Sequence, residues 1–257
     1  MSESSADRVA VVVGGASGIG SAVASGLADE GYRVVVADLN ADGAAAKASE
    51  LGAPHTSAPV DVTDENSVAA LFQQAGPVDV VVNTAGFGDF GRIVDLDLER
   101  FRAVIDCCLT GAVIVAKYAG RTLRDGGSLV SITSLNARQA ATGMSAYCSA
   151  KAGLAMFTQV AALEFAPRNI RVNAVSPGFV HTPLTELVTL APGVLEDYLE
   201  NSPLGRVGTA QNVADAVLFL CSDKASWLTG EVLDLNGGAH LKRYPDVLGH
   251  IDRMASA

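Results

Sequence analysis

Three residues in the stretch Ser134–Lys151, reading SLNARQAATGMSAYCSAK, have types and spacing suited to moving a proton on or off an alcohol. Tyr147 follows Ser134 by 13 residues, and Lys151 follows Tyr147 by four. The segment SAYCSAKAGLAMFTQVAALEFA reads as a helix, which puts Tyr147 and Lys151 on one face. A free phenol has a pKa of about 10 and is a poor base at neutral pH. A nearby ammonium favours the phenolate, and a helix N-terminus acts in the same direction, so Tyr147 is expected to have a lowered pKa. Ser134, at the end of the preceding strand, can donate to the substrate oxygen. The three supply a base, its tuner and an oxygen anchor, as proton abstraction from an alcohol requires. The accompanying hydride needs an acceptor that no side chain provides, so a cofactor must bind nearby. In reverse, Tyr147 is the acid and a ketone is reduced. The bland alternative for Tyr147 and Lys151 is an ordinary amphipathic helix pair.

The elements before this stretch are those that would hold such a cofactor. RVAVVV (Arg8–Val13) is a short run of β-branched residues and reads as a strand buried on both faces. GGASGIG follows, with Gly14, Gly18 and Gly20 flanking Ser17 and Ile19, and then a helical segment. Glycines here let the chain turn tightly and let a diphosphate approach a helix N-terminus. The spacing is G-x-x-x-G-x-G, and by itself it fits an ordinary glycine-rich turn as well. A second strand, RVVVADLN (Arg33–Asn40), carries Asp38 and Leu39 at its C-terminal end. An acid there can accept both adenosine ribose hydroxyls and would repel a 2′-phosphate. No Lys or Arg follows it or lies in the glycine loop, which favours NAD over NADP. The weaker alternative for Asp38 is a helix N-cap. Asp61, before Val62, is either an adenine ligand or a cap for the helix starting near Asp64. VDVVVNTAG (Val78–Gly86) is a further buried strand ending in Asn83, Ala85 and Gly86. The small residues admit a ligand, while Asn83 either meets it or ties strands together.

The rest continues the alternation. A helix is expected from Asp97 to Ala119, a strand over Gly126–Ser134, the Tyr147 helix, and a strand ending at Pro177 and Gly178. The segment 183–205, with three prolines, reads as a mobile substrate loop with one or two short helices. A helix at Gln211–Cys221 and a strand at Glu231–Leu235 close the fold. The tail 240–257 is expected to lie beyond the core. Alternation from end to end predicts one α/β domain over 1–257, a doubly wound parallel sheet of about seven strands with helices on both faces. Such sheets bind ligands beyond the C-terminal ends of their strands, where Gly14, Asp38, Asp61, Asn83, Ser134 and Pro177 all fall.

Composition narrows the classes. The formal charge of -10 argues against nucleic acid, which needs a basic face. Hydrophobic residues at 49% against 18% charged suit a buried oligomer interface. Cys107, Cys108, Cys148 and Cys221 show no CxxC spacing and read as reduced thiols of a cytoplasmic protein, and no metal site is expected. The polar start lacks signal-peptide features, no uninterrupted apolar run reaches the roughly 18 residues of a membrane span, and no membrane partner is expected.

Over about Arg8 to Gly238 the chain resembles the short-chain dehydrogenase/reductase (SDR) family, which implies a single-domain Rossmann-type fold. GGASGIG resembles its cofactor loop, Asp61-Val62 its adenine site, NTAG its N-N-A-G motif, and Ser134, Tyr147 and Lys151 its catalytic set. PGFVHT (Pro177–Thr182) resembles its nicotinamide segment. The resemblance implies that Lys151 also holds the nicotinamide ribose and joins a proton relay. It further implies that the Val180 backbone and Thr182 hydroxyl meet the carboxamide, and that the chain forms homotetramers or homodimers. Two positions depart from the pattern. Val13 replaces the usual threonine before the first glycine, and Cys108 in D-C-C-L-T-G stands where the relay asparagine would be.

The expected activity is NAD-dependent oxidation of an apolar secondary alcohol, hydroxysteroid-like or terpenoid-like, or reduction of the ketone. Ser134, Met144, Tyr147, Phe179 and Leu184 are candidate substrate contacts, and Leu187, Val188, Leu195 and His181 lie close enough in sequence to consider. One rival is a 3-oxoacyl-thioester reductase, whose carrier protein would dock on Arg121, Arg124, Arg168 and Arg171. The other is a dinucleotide-binding protein with little or no catalysis, on account of Cys108.

Overall fold

The computed structural model describes residues 8–255, with Leu184 and Leu187 described by backbone alone. The chain runs β1 (Val9–Val13), α1 (Gly18–Asp29), β2 (Arg33–Asp38), α2 (Ala41–Leu51), β3 (Thr56–Pro59), α3 (Glu65–Ala75) and β4 (Val78–Asn83). It continues through α4 (Leu98–Ile105), α5 (Gly111–Thr122), β5 (Leu123–Ile132), α6 (Ser145–Phe165) and β6 (Arg171–Pro177). Then come β7 (Val180–His181), α7 (Pro183–Glu186), α8 (Val194–Glu200), β8 (Gly208–Thr209), α9 (Ala210–Cys221), β9 (Val232–Leu235) and α10 (Val247–Ala255).

Seven strands pair in parallel in the order β3-β2-β1-β4-β5-β6-β9. The apolar runs are explained by cover on both faces. Val9, Val11 and Val13 of β1 point into a core shared with α3, α5 and α6, while Ala10 and Val12 point into one shared with α1, α2 and α9. Sheet order reverses between β1 and β4, and there the loops diverge to leave a crevice at the C-terminal edge.

Two expectations are corrected. The helix read as continuous from Asp97 to Ala119 is interrupted by a π-helical turn over Asp106–Thr110, between α4 and α5. Gly111 packs so closely on Val62 that a Cβ would lie 2.8 Å from its Cγ2. The extra residue per turn lets the helix keep that contact while it aims Cys107 at the crevice and buries Cys108. By length and a mean hydropathy of 1.5, Leu98–Thr122 passes for a membrane span. Its apolar face is nevertheless spent on the core, with Val104, Cys108, Ala112, Val115, Ala116 and Ala119 all buried.

The second correction is the tail. Residues from Ala239 turn back over the C-terminal edge, and α10 buries Val247 and Leu248. Val247 joins Ala191 and Val194 in a small core with Phe90, Tyr198 and Tyr244. Leu248 fills a bay at Gly143 (φ +79), where a Cβ would lie 2.7 Å from its Cδ2. Val247, Leu248 and Ile251 share one helical face, a three-residue pattern too short to announce itself in a polar tail.

Candidate functional site

A cleft of about 680 Å³ opens at the crevice. Gly14, Ser17, Gly18, Ile19, Gly20, Asp38, Leu39, Asp61, Val62, Ala85, Gly86 and Thr182 all line it. The glycine loop leaves no space for side chains. A Cβ on Gly20 would sit 2.0 Å from the Gly14 carbonyl oxygen, and one on Gly14 (φ +77) would sit 2.5 Å from Thr84 Oγ1. Gly18 is also left-handed (φ +52) and faces Thr182 across the cleft. A loop with glycines at Gly14, Gly18 and Gly20 before and at the N-terminus of α1 fits a diphosphate. Gly20→Ala is expected to weaken binding of a nicotinamide dinucleotide at least about tenfold while the fold persists, as fluorescence titration and circular dichroism would show.

Asp38 lines the cleft and braces it. Its carboxylate accepts from Ala16 N–H at 3.0 Å and Asn40 N–H at 2.9 Å, which ties the glycine loop to β2. The cap of α2 is Asn40, so Asp38 is not one. Asp61 Oδ1 accepts from both the N–H and the hydroxyl of Thr63, and these bonds hold its carboxyl below the usual carboxylate range. The cap of α3 is Asp64. Asn83 is buried outside the cleft lining, and its Oδ1 accepts from Ala85 N–H at 3.2 Å, which shapes the loop beneath the ligand. Thr84, absent from the sequence-based set, donates to the carbonyls of Val13 and Gly14 at 2.9 and 3.1 Å. It thereby clamps the loop next to the position where Val13 lacks a hydroxyl.

Beside the cleft lies a second cavity of about 220 Å³, lined by Ser134, Met144, Tyr147, Pro177, Gly178, Phe179 and Val180 among others. Ile19 and Thr182 line both cavities and mark their seam. The Ser134 hydroxyl lies near the Tyr147 phenol and favours its ionised form. Lys151 is buried and donates to the Ile132 carbonyl at 2.8 Å, with Nζ 5.5 Å from the Tyr147 ring centre. The expected lowering of the Tyr147 pKa is not found. Burial pushes the phenol up to about 12, the nearby Ser134 hydroxyl offsets this only in part, and the Lys151 ammonium is turned to a carbonyl. Burial also lowers the pKa of Lys151 itself. Cys108 is buried and donates to the Phe87 carbonyl at 3.3 Å, so it acts as a tie to the loop after β4. Gly86 is enclosed by Cys108 Sγ and Lys151 Nζ, each 3.2 Å from where a Cβ would lie.

Of the further substrate candidates, Val188 lines the cavity, Leu195 and His181 do not, and the Leu184 and Leu187 side chains lie outside the described residues. The segment 183–205 contributes Tyr198 and Asn201, and the tail contributes Arg243, Tyr244 and Pro245. Phe179 stacks on Tyr198 at 4.1 Å between centres, and Tyr244 meets Tyr198 edge-on at 6.1 Å. Tyr198 and Tyr244 carried no sequence signal, because what brings them to Ser134 is the fold of the tail.

The four arginines considered for docking lie elsewhere. Arg124 and Arg171 sit at the starts of β5 and β6, Arg121 and Arg168 just before them, and that is the edge opposite the cleft. Arg171 is buried against the carbonyls of Leu220 and Cys221, Arg168 pairs with Asp125, and Arg124 pairs with Asp79.

A family model described as enoyl-(acyl carrier protein) reductase matches residues 14–240. A cis-4-hydroxycyclohexanecarboxylate dehydrogenase of Sinomonas cyclohexanicum is 40% identical over 247 residues, covering 93% of this chain and 98% of its own. The 3-oxoacyl-[acyl-carrier-protein] reductase of Homo sapiens is 38% identical over 242 residues, covering 91% of this chain and 99% of its own. A solved short-chain type dehydrogenase/reductase from Mycobacterium ulcerans superposes with a TM-score of 0.92 at 34% identity, covering 96% of this chain and 94% of that one.

Proposed function

Because the chain belongs to the short-chain dehydrogenase/reductase family, we propose that it is an NAD-dependent dehydrogenase of a compact, largely apolar ring alcohol. The observation that carries this reading is that Ser134 and Tyr147 line a mostly apolar cavity that adjoins a dinucleotide-sized cleft at Ile19 and Thr182. NAD is favoured over NADP by the charges of the cleft. Asp38, Asp61 and Asp106 line it and no Lys or Arg does, so a 2′-phosphate would meet carboxylates with no cation to pair with. A ring alcohol is supported by the aromatic wall of Phe90, Phe179, Tyr198 and Tyr244, and by the relative named for a hydroxycyclohexane acid.

In this reading the nicotinamide, when bound, takes or supplies the hydride. Ser134 Oγ donates to the substrate oxygen. Tyr147 holds the proton that the same oxygen loses or gains. Lys151, buried and anchored on the Ile132 carbonyl, keeps a donor between the phenol and the cleft. The tail and Tyr198 wall the cavity on one side. Exposed Leu98, Val113, Met156, Val160 and Leu163 on α4, α5 and α6 support self-association through these helices.

A second reading, reduction of a 3-oxoacyl thioester, draws on the relatives named for it. Against it stand the acidic cleft and the placement of the four arginines at the far edge of the sheet. Titration with both dinucleotides separates the two. Wild type is expected to bind NADH at least about tenfold more tightly than NADPH, and Asp38→Ala to erase most of that difference. Equal or tighter binding of NADPH by wild type would sink the NAD reading. A panel of ring alcohols and 3-oxoacyl thioesters then decides the substrate class by NADH absorbance.

A further inference from the structure

We propose that Tyr244, carried by the C-terminal tail, is a positioning residue for Ser134 that acts through Asn136, keeping the serine hydrogen aimed at the reacting oxygen. The proposal rests on the dehydrogenase reading above, in which Ser134 must be a donor.

Ser134 has few ways to place its one hydrogen. Its Oγ accepts from Asn136 N–H at 3.2 Å, which uses a lone pair. Ser134 Oγ donates to Asn136 Oδ1 at 3.4 Å, a long bond that competes with the substrate for the hydrogen. Nothing about a serine two residues before an asparagine prevents that side chain from capturing it, since this is an ordinary local turn. The competition is settled from outside. Asn136 Nδ2 donates to the Gln139 carbonyl at 3.0 Å, which fixes the way the carboxamide faces. The Tyr244 hydroxyl then donates to Oδ1 at 3.2 Å. Tyr198 lies 3.0 Å from Tyr244, and because the Tyr244 hydrogen is committed to Asn136, the Tyr198 hydroxyl is the donor between them. A chain of hydrogen bonds therefore runs Tyr198 to Tyr244 to Asn136, beside Ser134. A hydroxyl that accepts a hydrogen bond becomes a stronger donor, so Tyr198 reinforces Tyr244. Burial pushes both phenols up, so both stay protonated across the neutral range.

Oδ1 has two lone pairs, and with one holding the phenol hydrogen its bond from Ser134, the longer of the two, is weakened, so the serine hydrogen is released more readily to the oxygen of the substrate. Without the Tyr244 hydroxyl, Oδ1 is the stronger acceptor and holds the serine hydrogen back from the substrate. Tyr244 can play this part because the tail is firmly seated. Asp197 accepts from Arg243 and from Asp246 N–H on either side of it, and His250 packs on Gly193 (φ +84), where a Cβ would lie 2.6 Å from Cε1.

The test is a double-mutant cycle on steady-state kinetics, using the ring alcohol that wild type oxidises best. Tyr244→Phe is expected to lower kcat about tenfold, with KM and NADH affinity within about twofold of wild type. Added to Ser134→Ala, the same change is expected to cost less than about twofold, because the group it acts on is gone. It should also have little effect in Asn136→Ala, where the competing oxygen is absent. Three results would overturn the proposal: a wild-type kcat in Tyr244→Phe, the full loss persisting in Ser134→Ala, or a loss confined to KM. Tyr147→Phe in the same assay keeps the two levels apart. If it keeps more than about a tenth of the wild-type rate, the dehydrogenase reading fails. If it is dead while Tyr244→Phe is normal, only the positioning role fails.

Discussion

Tyr147→Phe is expected to lower alcohol oxidation by about 10²–10⁴-fold, with NADH affinity within about twofold of wild type. The substitution deletes one oxygen from a half-buried tyrosine and leaves its ring beside Gly88 in place, so folding is not the route to the loss. In the proposed reaction it removes the atom that exchanges a proton with the substrate. The direction of the Tyr147 pKa adds a second readout. Burial pushes the phenol up to about 12 in the protein alone. Oxidation needs the phenolate, so its rate should climb as pH rises through the neutral and mildly alkaline range. Ketone reduction needs the phenol, so it should be flat there. Tyr147→Phe should lose the slope along with the rate. Oxidation that proceeds at more than a tenth of the wild-type rate in this variant would remove Tyr147 from the chemistry. A wild-type oxidation rate independent of pH would mean that another group carries the proton.

The parts of this site that were legible from sequence are those set by local periodicity. β1, β2 and β4 announce themselves as β-branched runs, and a parallel sheet brings the residues that follow them to one edge wherever the chain goes next. Gly14 and Gly18 need backbone freedom that few other residues offer, so their role is written in their type. Tyr147 and Lys151 share a helical face by spacing alone. Other features depend on contacts that no window of sequence contains. Asn136 and Tyr244 are 108 residues apart and meet only because α10 docks on Gly143 and Gly193. The π-turn at Asp106–Thr110 keeps the apolar spacing of α4 and α5 nearly intact, so the pattern reads as one helix. The Tyr147 pKa was misread for a related reason. Spacing put an ammonium on the same face, but whether that charge faces the phenol or the Ile132 carbonyl depends on how β5 packs under α6. Asp38 was legible as an acid at a strand end, while its bracing of Ala16 N–H was not.

Asp197→Ala is expected to unseat the tail and raise KM for the alcohol at least about tenfold, with NADH affinity unchanged. The carboxylate is buried on α8 and gathers the tail around itself. Oδ1 accepts from Arg243 at 2.6 Å and from Asn201 Nδ2 at 2.9 Å, while Oδ2 accepts from Asp246 N–H at 2.9 Å and lies 3.5 Å from His250 Nε2. Removing it leaves the Asp246 N–H without its acceptor and Arg243 without its main partner. Arg243 is half in solvent and can be rehydrated, so the cost belongs at about 2 kcal/mol, below that of a pair buried at both ends. That is enough to detach a short segment held by Val247, Leu248 and the Arg92–Asp252 pair. The loss falls on the substrate cavity because Arg243, Tyr244 and Pro245 line it, whereas no tail residue lines the cleft. Hydrogen exchange over residues 240–255 and KM should therefore move together, and an unchanged KM with a protected tail would refute the latch. Asp197→Asn keeps the shape and removes the charge, and it should fall between the two. Acid should act as the substitution does. Burial alone would raise the Asp197 pKa, but Arg243, the Asp246 N–H and His250 outweigh it and hold the carboxyl below its ordinary range. For a depressed carboxyl the stabilisation is complete above the unfolded value of about 3.9 and is lost as pH falls through the folded value. The tail should then stay closed at neutral pH and release only below about pH 4, ahead of the rest of the fold.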